Sequence, residues 1–139
     1  MTAFENATKF FHACEGLKGW DACSTFAAAG ATFEGQCEPL EGITTVEGYV
    51  TWWTMLGHGP FVGVTYSIKS AAWDEANRTA LFFAVVNVTH AGEGGPVPPT
   101  GRSVDADYVY AITMDEHDKV KHMVKVWNAP WSLRGIGWM

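Results

Sequence analysis

Charge is scarce in this sequence: 17% of its 139 residues are Asp, Glu, Lys or Arg, against roughly 25% in ordinary soluble domains. With 47% of residues in the apolar set, that excludes intrinsic disorder and a coiled coil. Basic residues are scarcer still. Nine Lys and Arg stand against fifteen Asp and Glu, a net charge of −6. They form no cluster, which argues against nucleic acid and anionic membranes as partners, because both are bound through basic patches. The nearest to a basic run, Lys119, Lys121 and Lys125, reads as a solvated strand face. Cys14, Cys23 and Cys37 are odd in number and lack C-x-x-C spacing, so neither a disulfide framework nor a zinc site is expected. No metal or cofactor motif stands out. No stretch approaches the ~18 apolar residues of a membrane span, and Met1 to Asn6 show no basic-then-apolar signal, so a soluble, cytoplasmic protein is expected.

Aromatic side chains, by contrast, are abundant. Seven Trp, eight Phe and four Tyr are more rings than a small core needs, and some are expected to line a cavity. The length fits a single domain spanning residues 1–139. Phe4, Ala7, Phe10, Phe11, Cys14 and Leu17 recur at spacings of three and four, which predicts a first helix. Gly16 and Gly19 break it, and Trp20, Cys23, Phe26 and Ala27 predict a second helix ending near Gly30. A short strand over 31–36 follows. Thr44 with Glu47 three residues on is a capping-box signal, and it predicts a third helix stopped by Gly57. From residue 63 the period becomes two, and strands are predicted over 63–73, 79–91, 103–114 and 119–127. Their short polar turns, 74–77 and 115–118, allow only antiparallel pairing. The Gly- and Pro-rich stretch 92–101 is expected to be an exposed loop.

Helices first and long antiparallel strands afterwards make the fold class α+β. This order of elements resembles the nuclear transport factor 2-like superfamily, in particular its SnoaL-like polyketide cyclase and ketosteroid isomerase branches. The resemblance rests on Thr100-Gly101-Arg102-Ser103 opening a strand and on the turn Asp115-Glu116-His117-Asp118-Lys119-Val120. Met123 and Trp127 add to it at isomerase-like spacing, as does the tail Leu133-Arg134-Gly135-Ile136-Gly137. It implies a cone-like curved antiparallel sheet, with three helices from the N-terminal half packed over its concave face. Between them it implies an apolar pocket on the order of a few hundred cubic ångströms. The convex face is implied as a homodimer interface.

The same resemblance orients the strands. It points Met123, Lys125 and Trp127 inward, with Tyr108, Tyr110 and Ile112 beside them, and Phe33 and Gly35 inward from the first strand. It also turns Val85 and Asn87 inward, which leaves Phe82 to the convex face. Asp105, Asp107 and the valines of the last strand then face out. The opposite assignment, with Asp107 and His122 inward, remains open and would restore a carboxylate to the pocket. Trp53, sharing a helix face with Val46, Tyr49 and Val50, is expected to roof the cavity, and Trp52 to point elsewhere. The expected substrate-binding set is thus Phe33, Trp53, Val85, Tyr108, Ile112, Met123 and Trp127.

Departures from the family pattern bear on activity. Its acidic positions fall on Gly35, Tyr110, Asn87, Lys125 and Asn128, and its helical tyrosine on Phe11. Tyr110, Lys125 and Asn87 are therefore the candidate catalytic residues, in place of carboxylates. A buried lysine could act as a base or an imine-forming amine; alternatively Lys125 reaches the rim or pairs with a carboxylate such as Glu47. Tyr110 could hydrogen-bond a ligand carbonyl or simply pack. Asn87 could meet a ligand or a structural partner. His12 and His58 read as surface or loop residues. Three functions stay open: an isomerase- or cyclase-like enzyme acting on an apolar cyclic ligand, a carrier or sensor of such a ligand, and a dimerising interaction module.

Overall fold

Small hydroxyl side chains start the two long helices. In the computed structural model, which describes residues 2–139, helix α1 runs Ala3–Glu15 behind Thr2, whose side chain accepts from the Glu5 backbone while Glu5 returns the bond. Helix α3 runs Val46–His58 behind Thr45, one residue later than the predicted cap, and reaches past Gly57 to Gly59. Between them lie the single turn α2 (Trp20–Ser24) and strand β1 (Ala27–Gly35). The predicted second helix was too long, because Ala27–Gly30 are already strand. Strands β2 (Thr65–Asp74), β3 (Thr79–Thr89), β4 (Ser103–Met114) and β5 (Val120–Trp127) follow close to expectation, and a short helix α4 (Ala129–Gly135) ends the chain.

The five strands form one sheet in the order β1-β5-β4-β3-β2, antiparallel except where β1 pairs in parallel with β5. Helices α1 and α3 cover the concave face, where Phe10, Phe11, Tyr49, Phe82, Tyr110, Ile112 and Met123 are fully buried. The α+β architecture expected from the element order is the one observed, with α4 added at the end of the sheet.

Cross-strand pairing fixes which side chains face inward, since directly opposed residues share a face. Tyr108 pairs with Trp127, Tyr110 with Lys125 and Ile112 with Met123. Phe33 and Gly35 sit beside Met123 and Lys125. All of these face the core, and Asp105 and Asp107 are exposed.

The reading of β3 is corrected. Ala84 pairs with Tyr108 and Phe82 with Tyr110, so Phe82, Ala84, Val86 and Val88 are buried under the helices. Val85 and Asn87 pair with Asp107 and Asp105 and face outward. At the start of β5 the register shifts, which buries Val120 and exposes Lys121, the reverse of the expectation from strict alternation.

Candidate active site

Five polar side chains meet in the apolar interior between α1, α3, β4 and β5. Lys125 donates from Nζ to the Tyr49 hydroxyl at 3.0 Å. Tyr49 and Tyr110 share a short hydroxyl–hydroxyl hydrogen bond. Tyr110 donates to Glu15 Oε1 at 2.5 Å and Tyr108 to Glu15 Oε2 at 2.5 Å. An ammonium has only donors and a carboxylate only acceptors. The direction of every bond is therefore set: Lys125 to Tyr49 to Tyr110 to Glu15. The chain joins a buried cation to a buried anion through two hydroxyls, and among the described residues Lys125 makes no direct ion pair.

Each member is placed by its element. Glu15 is the last residue of α1, one turn beyond Phe11, on the helix's buried stripe; it is 2% exposed. Tyr49 comes from the buried face of α3, stacked on Phe33 with ring centroids 4.5 Å apart. Lys125 is 7% exposed, so it neither reaches the rim nor pairs with Glu47, which is exposed. Its Nζ sits among six rings: 4.6 Å from the Trp127 centroid, 5.3 Å from Tyr49 and Tyr108, and 5.7–5.9 Å from Trp52, Trp53 and Tyr110. Ring faces attract a cation electrostatically, which offsets part of its lost hydration. Ser132, accepting from Trp127 Nε1 at 2.8 Å, fixes the nearest of these rings.

Burial opposes charge at both ends of the chain. It brings Lys125 down from 10.5 to about 8, against the raising effect of the Glu15 charge. It raises the Glu15 carboxyl, against the lowering effects of Lys125 and of the two tyrosine hydroxyls. Tyr108 and Tyr110 are raised by burial and by the neighbouring Glu15 charge, so both stay protonated and able to donate. One proton passed along the hydroxyls converts the charged pair to a neutral amine and a carboxylic acid. Burial favours that conversion and the mutual attraction of the charges resists it.

This network borders an apolar cavity of about 60 Å³, lined by Trp52, Trp53, Tyr108, Lys125, Trp127 and Ile136 among others. It is much smaller than the expected few hundred cubic ångströms, and Trp52, Trp53, the α4 residue Leu133 and Ile136 just beyond α4 are among its walls. Pro39 and Leu133 line both this cavity and a surface groove between the Glu38–Leu40 turn and α4, so the two spaces lie side by side.

The candidate residues divide accordingly. Trp53, Tyr108, Lys125 and Trp127 border the cavity, and Tyr110 lies directly behind it in the hydrogen-bonded chain. Trp52 borders it too, contrary to expectation, because the cavity wraps beyond one face of α3. Phe33, Ile112 and Met123 are buried but do not line it. Val85 and Asn87 are excluded from the site; Asn87 donates to Asp105 Oδ1 at 2.8 Å on the outer face. His12 bonds the Tyr66 hydroxyl and His58 the Leu17 carbonyl; His58 closes α3 rather than lying in a loop. Asn128 caps α4 by accepting from Trp131 N.

Sequence reasoning missed Glu15 and Tyr49. The signal for Glu15 was its spacing of four from Phe11, which puts a carboxylate on the apolar stripe. Glu15 thus brings to the interior a carboxylate that lies at none of the family's acidic positions named above and stands behind the cavity rather than lining it.

Neither any protein-family model nor any curated protein sequence matches the chain. Solved structures do. A protein proposed to be a SnoaL-like polyketide cyclase, from Jannaschia sp. CCS1, superposes with a TM-score of 0.78 at 17% identity, covering 96% of this chain and 90% of that one. AclR of Streptomyces galilaeus, described as a candidate hydroxylase, gives 0.76 at 17% identity, covering 99% and 96%. IdmH of Streptomyces antibioticus, described as a candidate polyketide cyclase, gives 0.77 at 15% identity, covering 99% of both chains. The chain shares the nuclear transport factor 2-like fold of these SnoaL-like and ketosteroid isomerase-like structures.

Proposed function

We propose that this chain is a small-molecule enzyme of isomerase or cyclase type, moving a proton on an apolar cyclic ligand that carries a carbonyl group. The observation that carries this reading is the hydrogen-bonded chain from Lys125 to Glu15, open to the cavity at its lysine end. Removing a proton from carbon needs a base whose pKa lies near the working pH. Lys125, brought down to about 8, meets that requirement. Its remaining N–H groups can hydrogen-bond a developing enolate oxygen, and the tyrosines can relay a proton to Glu15. The named activities of the structural neighbours, polyketide cyclisation and epoxide hydrolysis among them, fit an apolar pocket with a tuned proton-transfer group.

The test is turnover and affinity measured side by side on cyclic ketones, epoxides and polyketide esters. Lys125→Met and Glu15→Gln are each expected to lower kcat by about 10²-fold or more, the usual worth of a general acid or base, while leaving much of the affinity. Loss of affinity by the variants, with no turnover by the native protein on any compound, would make it a carrier.

We also propose that a second copy of the chain covers the convex face. Phe83, Val109 and Val126 form one row across β3, β4 and β5, and Leu81, Ala111 and Val124 form the next. Leu81, Phe83 and Val126 are all exposed.

A further inference from the structure

The amine of Lys125 is placed for covalent chemistry as well as for proton transfer. It lines a cavity whose other walls, apart from Ser132, are apolar or aromatic. Of its three N–H groups, one has a hydrogen-bond partner, Tyr49, and no carboxylate grips it directly. Behind it stands a route by which a proton can leave or return.

We infer that Lys125 forms an imine with an aldehyde or ketone that enters the cavity. This rests on the reading of the site as one for a carbonyl ligand and deepens it by naming the bond made. The neutral amine attacks the carbonyl carbon, forming a C–N bond while the carbonyl oxygen takes a proton. That proton comes from the attacking nitrogen; the carbinolamine hydroxyl then takes the stored proton and leaves as water, giving an iminium C=N bond that keeps the one remaining N–H. The Tyr49–Tyr110–Glu15 chain can store the proton that the ammonium must shed before attack and return it to the departing hydroxyl.

The product is a stronger acid than the starting ammonium but carries the same positive charge when protonated. The six rings that surround Nζ now would then surround an iminium, and their attraction for a cation is indifferent to whether it is an ammonium or an iminium. An apolar cavity also keeps out the bulk water that would hydrolyse the imine. The downward shift of Lys125 to about 8 supports the geometry, since free amine is then present near neutral pH. Pro39 and Leu133 line both the cavity and the outer groove, so an aldehyde reaching the groove has only these two side chains to displace.

The experiment is reductive trapping of the native protein with propanal and cyanoborohydride at limiting propanal, followed by peptide mass spectrometry across pH. The adduct is expected on Lys125 ahead of Lys9, Lys18, Lys69, Lys119 and Lys121, with labelling rising through about pH 8 rather than near 10.4, the value for a free lysine. Lys125→Met should lose that adduct and keep the slower labelling elsewhere. Preferential labelling of the other lysines, with Lys125 reached only after denaturation, would overturn the inference. If Lys125 stays unlabelled while Lys125→Met still abolishes turnover, proton transfer stands and the imine falls. Labelled Lys125 in a protein with no turnover on any carbonyl compound would support the imine and remove the isomerase reading.

Discussion

At the scale of single residues, what stands in the interior depends on what fills the neighbouring space. Gly35 lies beside Lys125 on the parallel strand. Leu40 fills the space that a side chain there would take: a Cβ built on Gly35 would come within 2.6 Å of Leu40 Cδ1 and 2.8 Å of Leu40 Cβ. Leu40 is fully buried, so it cannot swing into solvent to make room. Gly35→Asp is therefore expected to destabilise the fold by at least the ~1–3 kcal/mol typical of overpacking, and Gly35→Asp with Leu40→Ala to recover part of that loss. Urea denaturation of the two variants checks this; a Gly35→Asp protein as stable as the native one would show the space to be open.

At the scale of elements, the sheet has two apolar faces, and that determines both its partners and its legibility. Helix α1 could be placed from periodicity because one face is clearly more apolar than the other, whereas β4 and β5 are oriented only by the family resemblance, since hydrophobicity alone would bury the valines of β5. Strand β3 could not: Phe82, Ala84 and Val86 on one side match Leu81, Phe83 and Val85 on the other, so alternation alone says nothing about which faces in. Only its pairing with β4 decides, and the long loop between them does not transmit that register. Helix α4 was missed because seven residues starting at Ala129-Pro130 show too short a period to stand out. Glu15 was missed because a charge on an apolar stripe looks like a helix end. The outward rows of β3, β4 and β5 leave Phe83 and Val126 exposed at adjoining positions. If a second copy covers them, Phe83→Glu should convert a dimer to a monomer in sedimentation velocity without altering the far-UV circular dichroism. A native protein that sediments as a monomer at high concentration would refute the interface.

For the whole molecule, the fold brings together in three dimensions what the sequence spreads over most of its length. Glu15 ends the first helix, Tyr49 sits on the third, and Tyr108, Tyr110 and Lys125 come from the last two strands. Breaking a buried charge pair by removing one partner costs about 3–5 kcal/mol, while apolar replacement of both is often neutral. A network of this kind is therefore no aid to stability in itself, which is consistent with a role in chemistry. The sign of its pH dependence follows from the shifts. Because the folded pKa of Lys125 lies below the ordinary lysine value, the unfolded chain binds more protons between about pH 8 and 10.5, and this group adds stability as pH rises through that window. Glu15, shifted up, takes stability away as pH rises from the ordinary carboxylate value to its own. Burial drives both shifts, and the charge of each group reduces that of the other. The direct test is a ¹³C NMR titration of the Lys125 side chain in the native protein and in Glu15→Gln. The account predicts a midpoint near 8 in the native protein and a lower one in the variant, where the stabilising negative charge is gone. A midpoint near 10.4, the free-lysine value, that does not move on substitution of Glu15 would contradict it.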